Sequence, residues 1–267
     1  MGPGPTGSAK GIPVTVTDVV RLAVAVSALL AVAVAVTARW RLGHTRDLLV
    51  VTGRAVIQLL LIGVVLRLIF ATPALAPLYL ALMVGVAALT SSRRFSPGPG
   101  RRVDFRRFGI ALLAIGAAAA LTAVIVVASG VISGHARELV PFTAQVIGGS
   151  MTATTLAGSR LRDDVAAHWT ELEAWLALGA RPRQAVAELA VRAASRALVP
   201  ALDQTRNVGL VVLPGAFVGL LLAGASPLDA GRLQLLVLIA LLAAETTAAV
   251  LVTQLLGPSL LADHRPG

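Results

Sequence analysis

Hydrophobic positions along the chain gather into long unbroken runs divided by short polar or basic loops. A spanning helix needs about 20 mostly apolar residues. By that ruler the chain offers seven spans, at about 18–38, 50–70, 74–91, 109–130, 140–159, 205–223 and 232–256. Arg39-Trp40-Arg41 closes the first with an interfacial aromatic between cations, and Pro73 and Pro77 bound a short third. The first run is too long for a signal-peptide core and reads as a retained span. The pattern predicts an all-α polytopic membrane protein with one transmembrane domain over 17–258. A Gly/Pro/Ser-rich tail at 1–16, expected to be disordered, precedes it, and a short tail at 259–267 follows.

One polar island, 160–204, interrupts the apolar runs. From Asp163 to about Leu178 there is no Gly or Pro, and Val165, Trp169, Leu172 and Leu176 recur as one helical stripe. Asp163 and Asp164 fit a helix N-terminus. Gly179 suits a helix stop, and Pro182 suits the first turn of a second helix running to about Leu198, before Pro200. The expectation is helix, glycine turn, helix on the membrane surface, shaped to dock on another protein.

Composition narrows the function. A hydrophobic share of 57%, a charged share of 13% and a mean hydropathy of +0.84 exclude a soluble domain. The net charge of +10 does not signal nucleic acid, because the arginines sit in loops between apolar runs. Segments 39–47, 91–108 and 160–204 are basic, whereas 71–77, 131–139 and 224–231 carry only Arg137, Glu138 and Asp229. The positive-inside rule therefore predicts the N-terminus outside, the C-terminus inside and the polar island in the cytosol. Loop arginines are expected to meet anionic lipid headgroups, with Ser96-Pro-Gly-Pro-Gly100 as a flexible tip. Without cysteine there is no disulfide or thiolate metal site. Lys10 is the single lysine and G-x-x-x-x-G-K-[ST] does not occur, so this chain hydrolyses no nucleotide through a P-loop. His44, His135, His168 and His264 all fall outside the spans as interface residues, with His135 and Glu138 the one weak metal pairing.

The string EAWLALGARPRQA, from Glu173 to Ala185, resembles the EAA loop of ATP-binding-cassette permeases, whose short helix inserts into a cleft on a separate ATPase subunit. Its flanks, VTGRAVIQLLLIGVVLRLIF before it and ALVPALDQTRNVGLVVLPGAFVG with LLAGASPLDAGRLQ after it, resemble the FetB-type iron-export permease family over roughly residues 45 to 255. That resemblance implies a membrane-spanning transporter subunit in the plasma (inner) membrane, not an enzyme, exporting iron or another metal. It binds no cofactor itself; ATP and Mg belong to a partner ATPase chain. Plant relatives of the family are linked to aluminium tolerance and nucleotide sugars, which keeps an organic substrate open. One chain offers half of a two-fold core, so a homodimer on two ATPase chains is expected. The implied ATPase-coupling residues are Leu172, Glu173, Ala174, Leu176, Gly179, Ala180, Arg181, Pro182 and Arg183.

Polar residues inside spans are costly and so mark candidate functions. Arg54 and Gln58 share a face of the second span and either line a pathway or tie helices together, the resemblance favouring Gln58 as a pathway residue; Arg67 snorkels to the interface. Gln145, Gly149 and Thr152 form a small, polar stripe on the fifth span, for packing or for lining a cavity. In the sixth, Asn207 opens the span, Pro214 kinks it, and Gly215 and Gly219 form a GxxxG face, read as a lever or a static kink at a dimer interface. Glu245, near the middle of the seventh span, must be protonated, paired with Arg54 or another polar group, or open to water. Gln234 matches a family Gln and joins this pathway set. The chain departs from the family pattern where Asn is usual near Gly149 and Thr152, where Met is usual near Gln145, and at Ala216 and Phe217 in place of methionines. No metal ligands are assigned for that reason. The alternative is an ATP-independent carrier with Glu245 as its proton-linked group.

Overall fold

The computed structural model describes residues 15–43, 45–96 and 104–263. Most of the N-terminal tail with Lys10, the tip beyond Ser96 with Arg101 and Arg102, His44, and the last four residues with His264 lie outside the described residues. The elements are almost all helical: α1 (Val16–Arg39), α2 (Thr45–Ala71), α3 (Ala76–Phe95), α4 (Phe105–Ala128), α5 (Ala136–Ala167), α6 (Trp169–Ala177), α7 (Pro182–Ala185), α8 (Ala187–Ala197), α9 (Val199–Arg206), α10 (Gly215–Leu222) and α11 (Pro227–Asp263). Among the described residues five helices are long and apolar enough to cross a membrane, namely α1, α2, α3 with the turn before it, α4 and α11. The protein is thus an all-α polytopic membrane protein. The chain divides into two compact units, one through Leu68 and one from Ile69 onward.

In the first unit, α1 opens on a capping box. Thr15 accepts the Asp18 backbone N–H, and the Asp18 carboxylate accepts that of Thr15 at 3.1 Å. The Arg39 guanidinium lies 6.0 Å from the Trp40 ring centre at its other end. Both α1 and α2 expose rows of Val and Leu, which suits a lipid solvent.

The second unit is a bundle whose helix directions follow from a few close contacts. Arg107 Nη1 donates to the Phe95 carbonyl at 2.8 Å, and Gly116 faces Val84, so α4 runs against α3. Ser91 Oγ lies 2.9 Å from Thr155 Oγ1 and Phe95 packs on Gly158, so α5 runs with α3. Gly149 meets Glu245 and, twelve residues on in both helices, Leu161 meets Gly257, so α11 runs with α5. The chain between Ala167 and Pro227 therefore has to travel back along the bundle. Its core is built on alanine: Ala88, Ala111, Ala114, Ala118, Ala153 and Ala157 are almost fully buried. Lipid tails are as apolar as leucine, so helices in a membrane gain most by letting backbones approach closely.

Several expected features differ. The third span is continuous because Pro73 and Pro77 sit in first turns, where a missing N–H breaks nothing. Asp163 and Asp164 do not start a helix. They lie near the C-terminal end of α5, which runs on two turns past the expected span before breaking at His168, and they face Arg162 and Arg196. The helix after Pro182 is broken at Val186 into α7 and α8 and ends at Leu198 as expected; α9 follows directly, with Pro200 tolerated in its first turn. The sixth span is not a kinked helix. Residues 207–214 form a tight loop, closed by Gly209 at φ +80° and by its N–H to the Val212 carbonyl at 2.9 Å, and Pro214 precedes α10 rather than bending it. Not every loop arginine meets lipid. Arg107 is buried, bridging Asp104 and the end of α3, and Arg162 donates to the Arg94 carbonyl at 2.8 Å. These two cations cap the orphan carbonyls of α3.

A Cβ on Gly158 would fall 2.6 Å from Cδ1 of the fully buried Phe95, whereas one on Gly116 would meet Val84 at an ordinary 3.6 Å. Gly158→Ala is expected to lower stability by about 1–3 kcal/mol through overpacking, and Gly116→Ala to leave it within about 1 kcal/mol. Thermal unfolding of the detergent-solubilised chain compares the two.

Candidate functional site

Two places bring candidate residues together. The first is the hairpin α6–α7–α8. After α6, Gly179 takes φ +90°; its N–H donates to the Leu176 carbonyl and that of Ala180 to the Trp175 carbonyl, both at 3.0 Å. This paired closure is why a glycine is needed there. Arg181 is extended ahead of Pro182, and the Gln184 amide oxygen accepts its backbone N–H at 2.9 Å, which fixes the start of α7. Helix α8 buries Leu189, Ala190, Ala193 and Ala197 and turns Glu188, paired with Arg192 at 2.6 Å, outward. Val186 seats against Gly257 of α11 so tightly that a Cβ there would lie 2.8 Å from its Cγ2. The hairpin is thereby keyed to the bundle.

Of the coupling set, Leu172 is buried and Leu176 and Ala180 are half-buried; these hold the hairpin together. Glu173, Ala174, Gly179, Arg181, Pro182 and Arg183 are exposed at its tip. Sequence reasoning missed Trp175 and Leu178, which are 51% and 83% exposed. The available signal was their place off the Leu172–Leu176 stripe in an element outside the spans. His168, Glu171 and Gln184 with Trp175 line a cleft of roughly 420 Å³ inside the hairpin, with His168 Nδ1 2.8 Å from the Asp164 carbonyl.

The second place is the α5–α11 seam. Gly149 lets the two helices close until a Cβ would lie 2.6 Å from Glu245 Oε1 and 2.8 Å from Leu241 Cδ2. Glu245 is half-buried and makes no ion pair among the described residues. Thr152 is exposed and its hydroxyl donates to the Gly148 carbonyl at 3.2 Å. Toward the end where both helices begin, Gln145 and Gln234 line one cleft of roughly 710 Å³ with Arg137, Glu138 and Phe142. Pro214 shares a smaller cleft of roughly 240 Å³ with Gly209 and the other side of Gln234. Asn207 closes the 207–212 loop through its carbonyl, and Gly215 and Gly219 have open space beside them. Arg54 and Gln58 are exposed on α2 in the first unit. No group of three His, Asp or Glu side chains able to hold a metal occurs among the described residues, so His135 and Glu138 stand without a third ligand.

Outside the apolar runs, the Glu138 carboxyl is held below the usual carboxylate range by the Ser133 backbone N–H at 2.9 Å, then by the Ser133 hydroxyl at 2.8 Å and by nearby His135.

A bundle of apolar helices with a keyed surface hairpin and a seam of isolated polar groups defines an all-α, multi-pass membrane protein. The sequence matches, over residues 19–261, the UPF0014 profile, described as an uncharacterised protein family. The chain belongs to the UPF0014 family. It is 38% identical over 238 residues to "UPF0014 membrane protein STAR2" of Oryza sativa subsp. japonica, covering 88% of this chain and 81% of that one. It is 36% identical to "Protein ALUMINUM SENSITIVE 3" of Arabidopsis thaliana, covering 78% and 74% of the two chains. It is 30% identical to "Probable iron export permease protein FetB" of Escherichia coli (strain K12), covering 84% and 85%. No solved structure matches.

The lowered Glu138 value sets a pH dependence. A depressed folded value contributes stability above the ordinary carboxylate pKa of about 4.3, and that contribution is lost as pH falls through the folded value. In a carbon-13 titration Glu138 is expected to titrate below free glutamate, and Ser133→Ala to move it part of the way back, since the backbone donor remains.

Proposed function

We propose that this chain is the membrane-spanning subunit of an ATP-binding-cassette exporter, working as a homodimer with a separate ATPase and moving a metal ion by alternating access. The observation that carries the reading is the hairpin tip. An exposed Trp175 and Leu178 stand beside Glu173, Arg181 and Arg183 on an element locked to α5 and α11. An exposed aromatic that a partner can bury, ringed by charges, is what a docking surface needs. Rigid keying lets a movement of the partner reach the seam. The parallel run of α5 and α11 supports a return crossing by the α9–α10 segment, hence seven crossings, with the hairpin and the C-terminus on the cytosolic side. ATP and Mg sit on the partner, since this sequence has no P-loop. Metal as cargo rests on the relative named as a probable iron export permease.

In this mechanism ATP closes the partner dimer and the hairpin follows. The α5–α11 seam, with Gln145, Gly149, Thr152 and Glu245, and the Asn207–Gly215 segment then re-aim the cavity, while Arg54 and Gln58 stay candidates for the pathway on the strength of their polarity within an apolar span. Pro214 caps the start of α10 at Gly215 rather than kinking a helix. A second reading, a proton-coupled carrier, draws on the unpartnered Glu245 carboxylate.

Co-expression with a P-loop ATPase chain tests the docking. Glu173→Lys, Trp175→Ala and Gly179→Pro are each expected to lower ATPase capture by about tenfold or more, equivalent to about 1.4 kcal/mol or more, while the spans still fold. Unchanged capture and unchanged stimulation of hydrolysis would remove the coupling role. In reconstituted vesicles, Glu245→Gln is expected to cut ATP-driven iron efflux severalfold without loss of the ATPase. Efflux that needs a proton gradient and no ATPase would favour the carrier reading.

A further inference from the structure

The cleft where α5 and α11 begin has a composition unlike the rest of the seam. Its walls are apolar, built from Ile132, Phe142, Leu220, Leu233 and Val237. Its rim is dipolar: Arg137 and Glu138 are adjacent and exposed, and Arg137 makes no ion pair among the described residues. Carrying the α5–α11 register back eleven residues from Gly149 and Glu245 sets Glu138 level with Gln234. Gln234 is 5% exposed, lines the cleft, and its Oε1 has no hydrogen-bond partner among the described residues. An amide oxygen buried without a donor is costly, so it marks a place where a donor is missing.

Two further acceptors point the same way. Glu138 receives both Ser133 donors on Oε2, which leaves Oε1 open. Pro141 lies inside α5 and has no N–H to give the Arg137 carbonyl four residues before it. One guanidinium therefore shares the lining of this cleft with two side-chain acceptors and with a helix carbonyl that lacks its usual donor, above an apolar groove. A cleft of roughly 710 Å³ is within the size range of small-ligand sites.

We infer that this cleft is a binding site for an ethanolamine phospholipid, with the phosphate on Arg137, the ammonium shared by Glu138 Oε1, Gln234 Oε1 and the Arg137 carbonyl, and an acyl chain between α5, α10 and α11. The ammonium has three N–H donors for the three acceptors. A choline headgroup has the same charge and no donor, and a glycerol headgroup has hydroxyls and no cation. The apolar walls give a reason for a lipid rather than a soluble dipolar solute, because a headgroup alone would leave them wet.

Native mass spectrometry of the full-length chain in a mild detergent, with phosphatidylethanolamine, phosphatidylcholine and phosphatidylglycerol of matched acyl chains, tests the site. Ethanolamine lipid is expected to be retained about tenfold better than either of the others, the size of effect a charge-assisted hydrogen bond supplies. Glu138→Gln and Gln234→Leu are each expected to bring the ethanolamine–choline ratio to within about twofold, and Arg137→Gln to weaken both lipids together. Thermal unfolding of each variant separates loss of the site from loss of the fold; Glu138→Gln, at an exposed position, keeps the test alive if Gln234→Leu does not fold. Equal retention of choline and ethanolamine lipids, a preference that survives Glu138→Gln in the folded chain, or full displacement by soluble glycerophosphoethanolamine at lipid-like concentrations would each overturn the assignment.

Discussion

The bundle depends on how closely α5 can approach its neighbours. In lipid there is little gain from hiding apolar surface, so attraction between helices comes from dispersion and from the few hydrogen bonds that close contact allows. Gly149 against Glu245 and Leu241, and Gly158 against Phe95, are positions on α5 where even one added carbon would collide. The alanines between them are almost solvent-free. With α5 drawn against α3 on one side and α11 on the other, the three run in one direction and α4 fills the antiparallel place. Everything at the bundle ends inherits this geometry.

Two consequences tie the ends to the middle. At the hairpin end, Val186 enters the space left by Gly257, so the hairpin packs directly on α11. At the other end, the register fixed at Gly149 sets Gln234 beside Glu138 and leaves its amide oxygen unmatched. A small-residue seam thus supplies a rigid connection from a surface hairpin to a polar cleft at the opposite end.

Much of the architecture was readable without coordinates because bilayer thickness imposes a length that apolar runs must meet. Six of the seven expected spans coincide with helices. The glycine turn was also legible: Gly179 and Pro182 are used as their backbone chemistry demands. The failures share a cause. Asp163 and Asp164 looked like an N-terminus, yet α5 continues through them because nothing stops it until His168. Pro214 looked like a kink, yet the loop from Asn207 already ends α9, so the proline meets no helix to bend. Local signals of starting and stopping are overridden when packing on a neighbour favours a different boundary.

The sequence alone determined the class of protein, the family, the absence of a P-loop and the place of the surface hairpin, because these rest on hydropathy, motif order and backbone chemistry that do not depend on long-range contacts. Which polar groups meet was a matter for the tertiary structure. It separated the Leu172–Leu176 anchor from the exposed Trp175 and Leu178, set Glu245 on Gly149, and brought Gln145 and Gln234 to one cleft although 89 residues separate them in the chain. Such meetings depend on the register between helices. Register is decided by where small side chains let two backbones touch.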